Sequence, residues 1–285
     1  MLVATAAAGV GDDAVGRLSA ALGARLGPPR RLGADAVAFA CAADASAPAR
    51  AALPEAALDL NVLSMAAAAP KAVLVADMDS TIITVECVDE LAAHAGKKTE
   101  VAALTEQAMA GALDFEGALR ARVALLAGLS EAELEATHRD RVRLSAGAAA
   151  LAGGMRARGA LTALVSGGFT FFAERVAAAA GFERFQANAL EIADGRLTGE
   201  LAAPILGRAA KAEALRALCA ERGVGAEAAL AIGDGANDLD MIRAAGLGVA
   251  YRAKPAVAEA ADARLDHSDL SAALRLQEAG AAARG

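Results

Sequence analysis

An α/β fold is predicted for this chain, built on a parallel sheet with an inserted helical cap and a small α/β unit in front. Three observations predict it. Apolar runs at 71–76, 160–165 and 228–232 each end in a short polar motif rich in Asp, Ser or Gly. Helix-period patterns separate the runs, and that alternation builds parallel sheets through helical crossovers. Between the first and second runs the chain is far longer than one crossover needs, so an insertion is expected there. The order is Rossmann-like. All three polar motifs then meet at the carboxyl edge of one sheet, where open α/β folds bind ligands.

Taken in order, residues 1–70 read as a separate small α/β unit. Strands are expected at 2–6, 36–41 and 58–63, and helices at 12–26 and 49–57, the second weakened by Pro54. Pro28, Pro29 and Pro70 punctuate it, and no chemical motif within it states a role. Residues 71–285 make the second unit. Amphipathic patterns at 87–94, 100–110, 115–126 and 131–139 predict a helical cap over about 84–145. The runs 187–192 and 196–201 flank Asp194-Gly195, a strong hairpin signal.

Composition narrows the class. The chain is 56% hydrophobic but only 3% aromatic and lacks Trp, so Ala and small aliphatics must pack the core, mostly in helices. A net charge of −7 and pI near 5.1 argue against a nucleic-acid partner, and the Arg30-Arg31 pair is too short to be a basic patch. Cys41, Cys87 and Cys219 are odd in number and scattered, which reads as isolated thiols in a reducing compartment. His94, His138 and His267 are equally dispersed and predict no zinc site. The first basic residue is Arg17, unlike a signal peptide, and no apolar stretch approaches a membrane span. A cytoplasmic protein without a membrane partner is expected.

The chemistry is concentrated at the three motifs. Asp77-Met78-Asp79-Ser80-Thr81 follows the first run, so two carboxylates stand at i and i+2 on a loop at a strand end. Alone, such a pair is as readily a polar turn. It can also divide one reaction, Asp77 attacking phosphorus while Asp79 protonates the leaving alcohol and later activates water. An anionic nucleophile meeting an anionic phosphate calls for Mg2+, with oxygen ligands from Asp77, the Asp79 main chain and Asp234. Ser166 and Gly167 follow the second run and are expected to open a helix, where hydroxyl and amide can hold phosphate oxygens. Lys211 would neutralise charge on the phosphoryl group and on Asp77. The loop Gly233-Asp234-Gly235-Ala236-Asn237-Asp238 could be a calcium turn, but it lacks the Glu an EF-hand requires.

In combination and in this order, these segments resemble the haloacid dehalogenase superfamily over about residues 71–270. The resemblance implies a haloacid dehalogenase-like fold, Mg2+, an aspartyl-phosphate intermediate on Asp77, a phosphate contact from Asn237 and a supporting role for Asp238. Cap residues narrow it. Glu86-Cys87-Val88-Asp89-Glu90-Leu91 and the segment from Phe115 through Arg120 and Arg122 look like the branch that hydrolyses O-phosphoserine. There Glu86 would face the substrate ammonium, Arg122 its carboxylate, and Phe115 would close over the site. A guanidinium fork suits a carboxylate, and a cap that shuts excludes water. The segment 203–208 departs from the family pattern, which is more polar before the lysine. The expected partner is therefore a small phosphorylated metabolite, and a homodimer is compatible with it. The rivals are a related phosphatase or phosphotransferase acting on, for example, phosphohomoserine, and an amino-acid sensor on a phosphatase scaffold. Intact Asp77, Asp79, Lys211 and Asp234 speak against the sensor.

Overall fold

A computed structural model describes residues 1–109 and 114–281. The N-terminal part comprises β1 (Leu2–Thr5), α1 (Asp12–Leu22), β2 (Arg30–Arg31), β3 (Ala36–Phe39), α2 (Ser46–Ala52) and β4 (Asp59–Val62). Its antiparallel sheet has the order β2-β3-β1-β4, a βαββαβ arrangement. The short β2 was not expected, because Arg30-Arg31 follows two prolines and carries no apolar alternation. The helix placed at 49–57 instead spans Ser46–Ala52, ending before Pro54, as the restricted backbone ahead of a proline requires. The first helix likewise stops at Leu22, where Gly23 turns with φ 49°.

The body follows with β5 (Val73–Ala76), α3 (Cys87–His94), α4 (Lys98–Met109), α5 (Phe115–Ala124), α6 (Glu131–Arg141) and α7 (Ala148–Ala157). Then come β6 (Leu161–Phe169), α8 (Thr170–Ala180), β7 (Arg184–Asn188), β8 (Leu190–Ala193), β9 (Arg196–Leu201) and α9 (Arg208–Glu221). The chain closes with β10 (Ala229–Gly233), α10 (Leu239–Ala244), β11 (Leu247–Tyr251), α11 (Pro255–Ala260), β12 (Ala263–Leu265) and α12 (Ala272–Ala281). The expected helix at 100–110 corresponds to α4, and Ala110 lies outside the described residues.

Six strands form one parallel sheet in the order β12-β11-β10-β5-β6-β7. Alternation along β5 explains its two-sided burial. Val73 and Val75 pack towards α9 and α10 with Leu215, Cys219, Met241 and Ile242. Leu74 and Ala76 face the opposite core with Leu151, Met155, Phe172 and Leu276. Each fully buried Val or Leu contributes ~1.5–3 kcal/mol of apolar burial. Register puts Ile232, Ala76 and Leu164 side by side, so the segments after β10, β5 and β6 leave the sheet at one edge.

Between β5 and β6 the chain makes its long excursion. An antiparallel bridge at Ile83 and Leu144, with Thr84 N–H donating to the Arg143 carbonyl and Ser145 N–H to the Ile82 carbonyl, closes its base. Within it, Ser130 and Glu133 form a reciprocal capping box that starts α6. The β8–β9 hairpin turns at Asp194 and Gly195, with φ 51° and 72°, as an Asp-Gly turn favours. Residues 187–188, expected in that hairpin, end β7 of the main sheet instead.

The N-terminal sheet is covered on both faces. Leu2, Ala4, Val37 and Phe39 pack under α1 and α2, while Val3 and Ala38 join the core of the body. Asp59 accepts the backbone amides of Asp266, His267 and Ser268, and Asn61 bonds reciprocally to the backbone of Arg264. Among the described residues no helix is long and apolar enough to cross a membrane.

Candidate active site

Because the sheet is parallel, Asp77 emerges beside Gly233 and Val165, its amide donating to the Ile232 carbonyl at 3.0 Å. The segment Met78–Ile82 then turns irregularly, with Ser80 in the left-handed region at φ 54°. That uncommon conformation is held by the Ser80 amide on the Val85 carbonyl and by its hydroxyl on Glu86 Oε1 at 2.6 Å. The turn swings Asp79 back towards the strand end and brings Glu86 to the same edge.

Asp77 is buried. Its Oδ1 accepts the Met78 amide at 2.8 Å and the Lys211 ammonium at 2.6 Å, and Oδ2 has no partner among the described residues. Lys211, itself buried on α9, is shared with Asp238 Oδ1 at 2.6 Å. Asp238 Oδ2 accepts the amides of Asp234 and Gly235, so its carboxylate is fully engaged. Thr81 Oγ1 donates to Asp234 Oδ1 at 2.9 Å. Burial and the adjacent Asp238 push the Asp77 carboxyl well up against the pull of Lys211. Burial lowers the Lys211 ammonium, but Asp77 and Asp238 overcome it and raise its value.

Asp79 occupies a different setting. Its Oδ1 accepts the Cys87 amide at the start of α3, and its Oδ2 lies 3.4 Å from the Ser166 hydroxyl. Burial, reinforced by Glu86, raises Asp79 to about 7, and burial raises Asp234 to about 6. A carboxyl poised near neutrality can both donate and accept a proton there.

Ser166 and Gly167 are placed differently from expectation. They lie within β6, which continues to Phe169, and α8 begins only at Thr170. Extended backbone and a register shift between Val165 and Phe169, rather than a helix start, present this segment. Here Ser166 Oγ accepts the Gly168 amide at 2.8 Å.

These elements surround a cleft of about 790 Å³. Asp77, Asp79, Ser166, Gly167, Asp234 and Asn237 line it from the sheet edge, and Glu86, Phe115 and Arg122 line it from the excursion. Lys211 and Asp238 stand behind Asp77 rather than in the wall. Arg122 donates from Nε to the Ala118 carbonyl at 3.2 Å. Burial lowers its value while Asp89, Glu86 and Asp79 oppose that. Asp77, Asp234 and Asp238 offer carboxylate oxygens within 4.8 Å of one another. With Asp238 engaged, Asp77 Oδ2 and the second Asp234 oxygen are the open donors. An all-oxygen set fits a hard divalent cation and not a thiolate- or imidazole-seeking one. The Asp79 side chain does not join this cluster.

Sequence reasoning missed Thr81, Asp89, Lys254 and Asn188. Thr81 stands in the quoted Asp77 motif, and its spacing could have pointed to it. Asp89 and Lys254 also line the cleft; Asp89 stands in the quoted cap segment without a role of its own, and Lys254 lies outside every motif. Asn188 carried no signal at all.

A family model for haloacid dehalogenase-like hydrolases matches residues 74–243. The chain belongs to that family and is an enzyme. It is 45% identical over 205 residues to a phosphoserine phosphatase of Polaromonas, covering 70% of this chain and 87% of the relative. A phosphoserine phosphatase of Streptomyces coelicolor is 47% identical over 231 residues, covering 79% of this chain, which spans only 56% of that longer protein. The crystal structure of a probable phosphoserine phosphatase from Vibrio cholerae superposes with TM-score 0.85 at 31% identity, covering 99% of this chain and 87% of the other.

Proposed function

We propose that this enzyme hydrolyses O-phosphoserine to serine and inorganic phosphate, with Asp77 as nucleophile and Mg2+ as cofactor, as in the closing step of serine synthesis. One observation carries the reading. A single cleft is lined on one wall by Asp77, Asp79, Ser166 and Asp234 and on the other by Glu86 and Arg122. The first set suits a phosphoryl group, and the second suits the ammonium and carboxylate of an amino acid. The family and the substrate named for the relatives support it.

In this reading the Asp77 carboxylate attacks phosphorus as the bond to the serine oxygen breaks. Protonated Asp79 gives its proton to the departing alkoxide. Asp79, now ionised, takes a proton from the water that attacks the acyl phosphate, which releases phosphate and restores Asp77. Ser166, the Gly167 amide and Asn237 hold the phosphoryl oxygens, and Lys211, behind Asp77, offsets the negative charge that gathers there. Asp77, Asp234 and the Asp79 main chain would hold Mg2+, which when bound offsets the repulsion between carboxylate and phosphate. Asp238 keeps Lys211 and the Asp234 loop in place. Glu86 and Arg122 orient the amino-acid end, and Phe115 shields the cleft from water.

Phosphate release from a panel of phosphorylated metabolites, with Mg2+ and with chelator, tests the proposal. O-Phosphoserine should lead the panel, chelation should silence it, and Asp77→Asn should abolish turnover while the variant stays folded. Full activity in chelator, or substantial turnover by Asp77→Asn, would overturn it.

A further inference from the structure

Asn188, the last residue of β7, is 1% exposed and does not line the cleft. Its side chain nevertheless joins two segments that do the work in the proposed reaction. Nδ2 donates to the Gly167 carbonyl at 2.8 Å and to the Leu206 carbonyl at 3.4 Å, and Oδ1 accepts the Leu206 amide at 2.7 Å. One amide therefore ties the end of β6 to the loop that enters α9.

Both ends of that tie lead to the phosphate side of the cleft. Holding the Gly167 carbonyl fixes the peptide whose N–H, that of Gly168, donates to Ser166 Oγ. Holding Leu206 fixes the residue before Gly207, the N-cap of α9, and Lys211 lies one turn further on. The same two segments also make a floor for the ring of Phe115. A methyl built on Gly167 would lie 3.0 Å from that ring, and one on Gly207 3.5 Å from it. At Gly167 a methyl would crowd the ring, whereas at Gly207 it would only touch it.

We propose that Asn188 is a positioning residue that sets the spacing of the Gly167 and Leu206 segments. In doing so it aligns Ser166 on the phosphoryl group, keeps Lys211 behind Asp77, and forms the floor on which Phe115 rests. It touches no substrate. The inference rests on the phosphoryl-transfer reading of this cleft but not on which phosphate ester is used.

The variants are Asn188→Asp, which keeps the acceptor for Leu206 but cannot donate to either carbonyl, and Asn188→Ser, which is short and uncharged. Binding of inorganic phosphate in the presence of Mg2+ is measured by calorimetry on wild type and both variants, well below their melting temperatures. Catalysis is followed on O-phosphoserine and on p-nitrophenyl phosphate, which lacks the amino-acid groups. The expected result is phosphate binding at least tenfold weaker and kcat/KM reduced by the same factor on both esters. In a Phe115→Ala background the Asn188 effect should shrink, because the two act through one floor. A purely structural role would instead lower the melting temperature and active fraction with phosphate affinity unchanged. Phosphate affinity within twofold of wild type in either folded variant would overturn the inference. Wild type that turns over p-nitrophenyl phosphate but not O-phosphoserine would overturn the substrate assignment and leave this test intact.

Discussion

On the sheet wall of the cleft the charges are sheltered and mutually bonded: Lys211 between Asp77 and Asp238, Asp238 under two amides, Asp234 under Thr81. On the cap wall Glu86 is exposed, Phe115 is half-buried on glycines, and among the described residues Arg122 is hydrogen-bonded only to the carbonyl one turn behind it. The contrast follows from what each wall rests on. Parallel strands with fixed register can hold a dry ion network, whereas helices on a two-rung base leave long side chains free to adapt. In the proposed reaction, chemistry is thus invested in the rigid wall and selection in the adaptable one. Variants on the two walls should fail in different ways.

The largest effect belongs to the sheet wall. Lys211→Met leaves Asp77 and Asp238 facing each other in a buried space without their shared cation. Breaking such a network costs about 3–5 kcal/mol. Urea unfolding in chelator should show that loss near neutral pH, and phosphate release should fall to background. A variant within about 1 kcal/mol of wild type that retains turnover would mean the network is not what holds Asp77.

Next is the contact between β6 and Asp79. A methyl on Gly168 would lie 2.6 Å from Asp79 Oδ2, 3.0 Å from Ser166 Oγ and 3.1 Å from Met78 Cε. Gly168→Ala must therefore displace the Asp79 carboxyl, the group proposed to handle the proton. A misplacement near 1 Å costs on the order of 100-fold in rate. The loss should fall on kcat with every phosphate ester, and a loss confined to one ester would place the strain elsewhere.

A smaller effect reads Asp79 through pH. Its folded value of about 7 stands above the ordinary carboxyl range, so the folded state favours the protonated form. Its contribution to stability is complete below the unfolded value and fades as pH rises through about 7. Asp79→Asn removes that titration. In chelator the melting temperature of the variant should exceed that of wild type, and by more near pH 8 than near pH 5. A pH-independent difference would show that Asp79 is not desolvated as the structure has it.

The same contrast sets what could be read from sequence. Asp77 and Asp234 were legible because each ends an apolar run long enough to be a buried strand, and the Asp194-Gly195 hairpin because only those residue types favour its turn. The strands β7 and β12 were not, β12 having only three residues and β7 being largely exposed on the sheet edge. Gly167 and Gly168 imitate a helix-opening turn in sequence, but pairing with β7 carries β6 on to Phe169. Asn188 was invisible because its partners are three backbone groups on two residues distant in sequence, and backbone contacts leave no residue pattern. On the cap wall the roles proposed for Glu86 and Arg122 rest on family resemblance, since a helix-borne charge is ordinarily solvated.

Arg120 and Arg122 supply a control for the central claim within one helix. Arg120 pairs with Glu116 on the exposed face, an i,i+4 contact worth ~0.3–0.5 kcal/mol, while Arg122 lines the cleft. The decisive measurement is the ratio of kcat/KM for O-phosphoserine to that for phosphoethanolamine, which shares the phosphate and ammonium but lacks the carboxylate. A charge-assisted contact is worth about 1.5–3 kcal/mol, or roughly tenfold to a hundredfold. Arg122→Ala should lower the ratio by that factor while barely changing phosphoethanolamine turnover, and Arg120→Ala should leave the ratio as in wild type. Equal losses on both substrates with Arg122→Ala would mean that the arginine only supports the cap, and the division between a reacting wall and a selecting wall would be wrong.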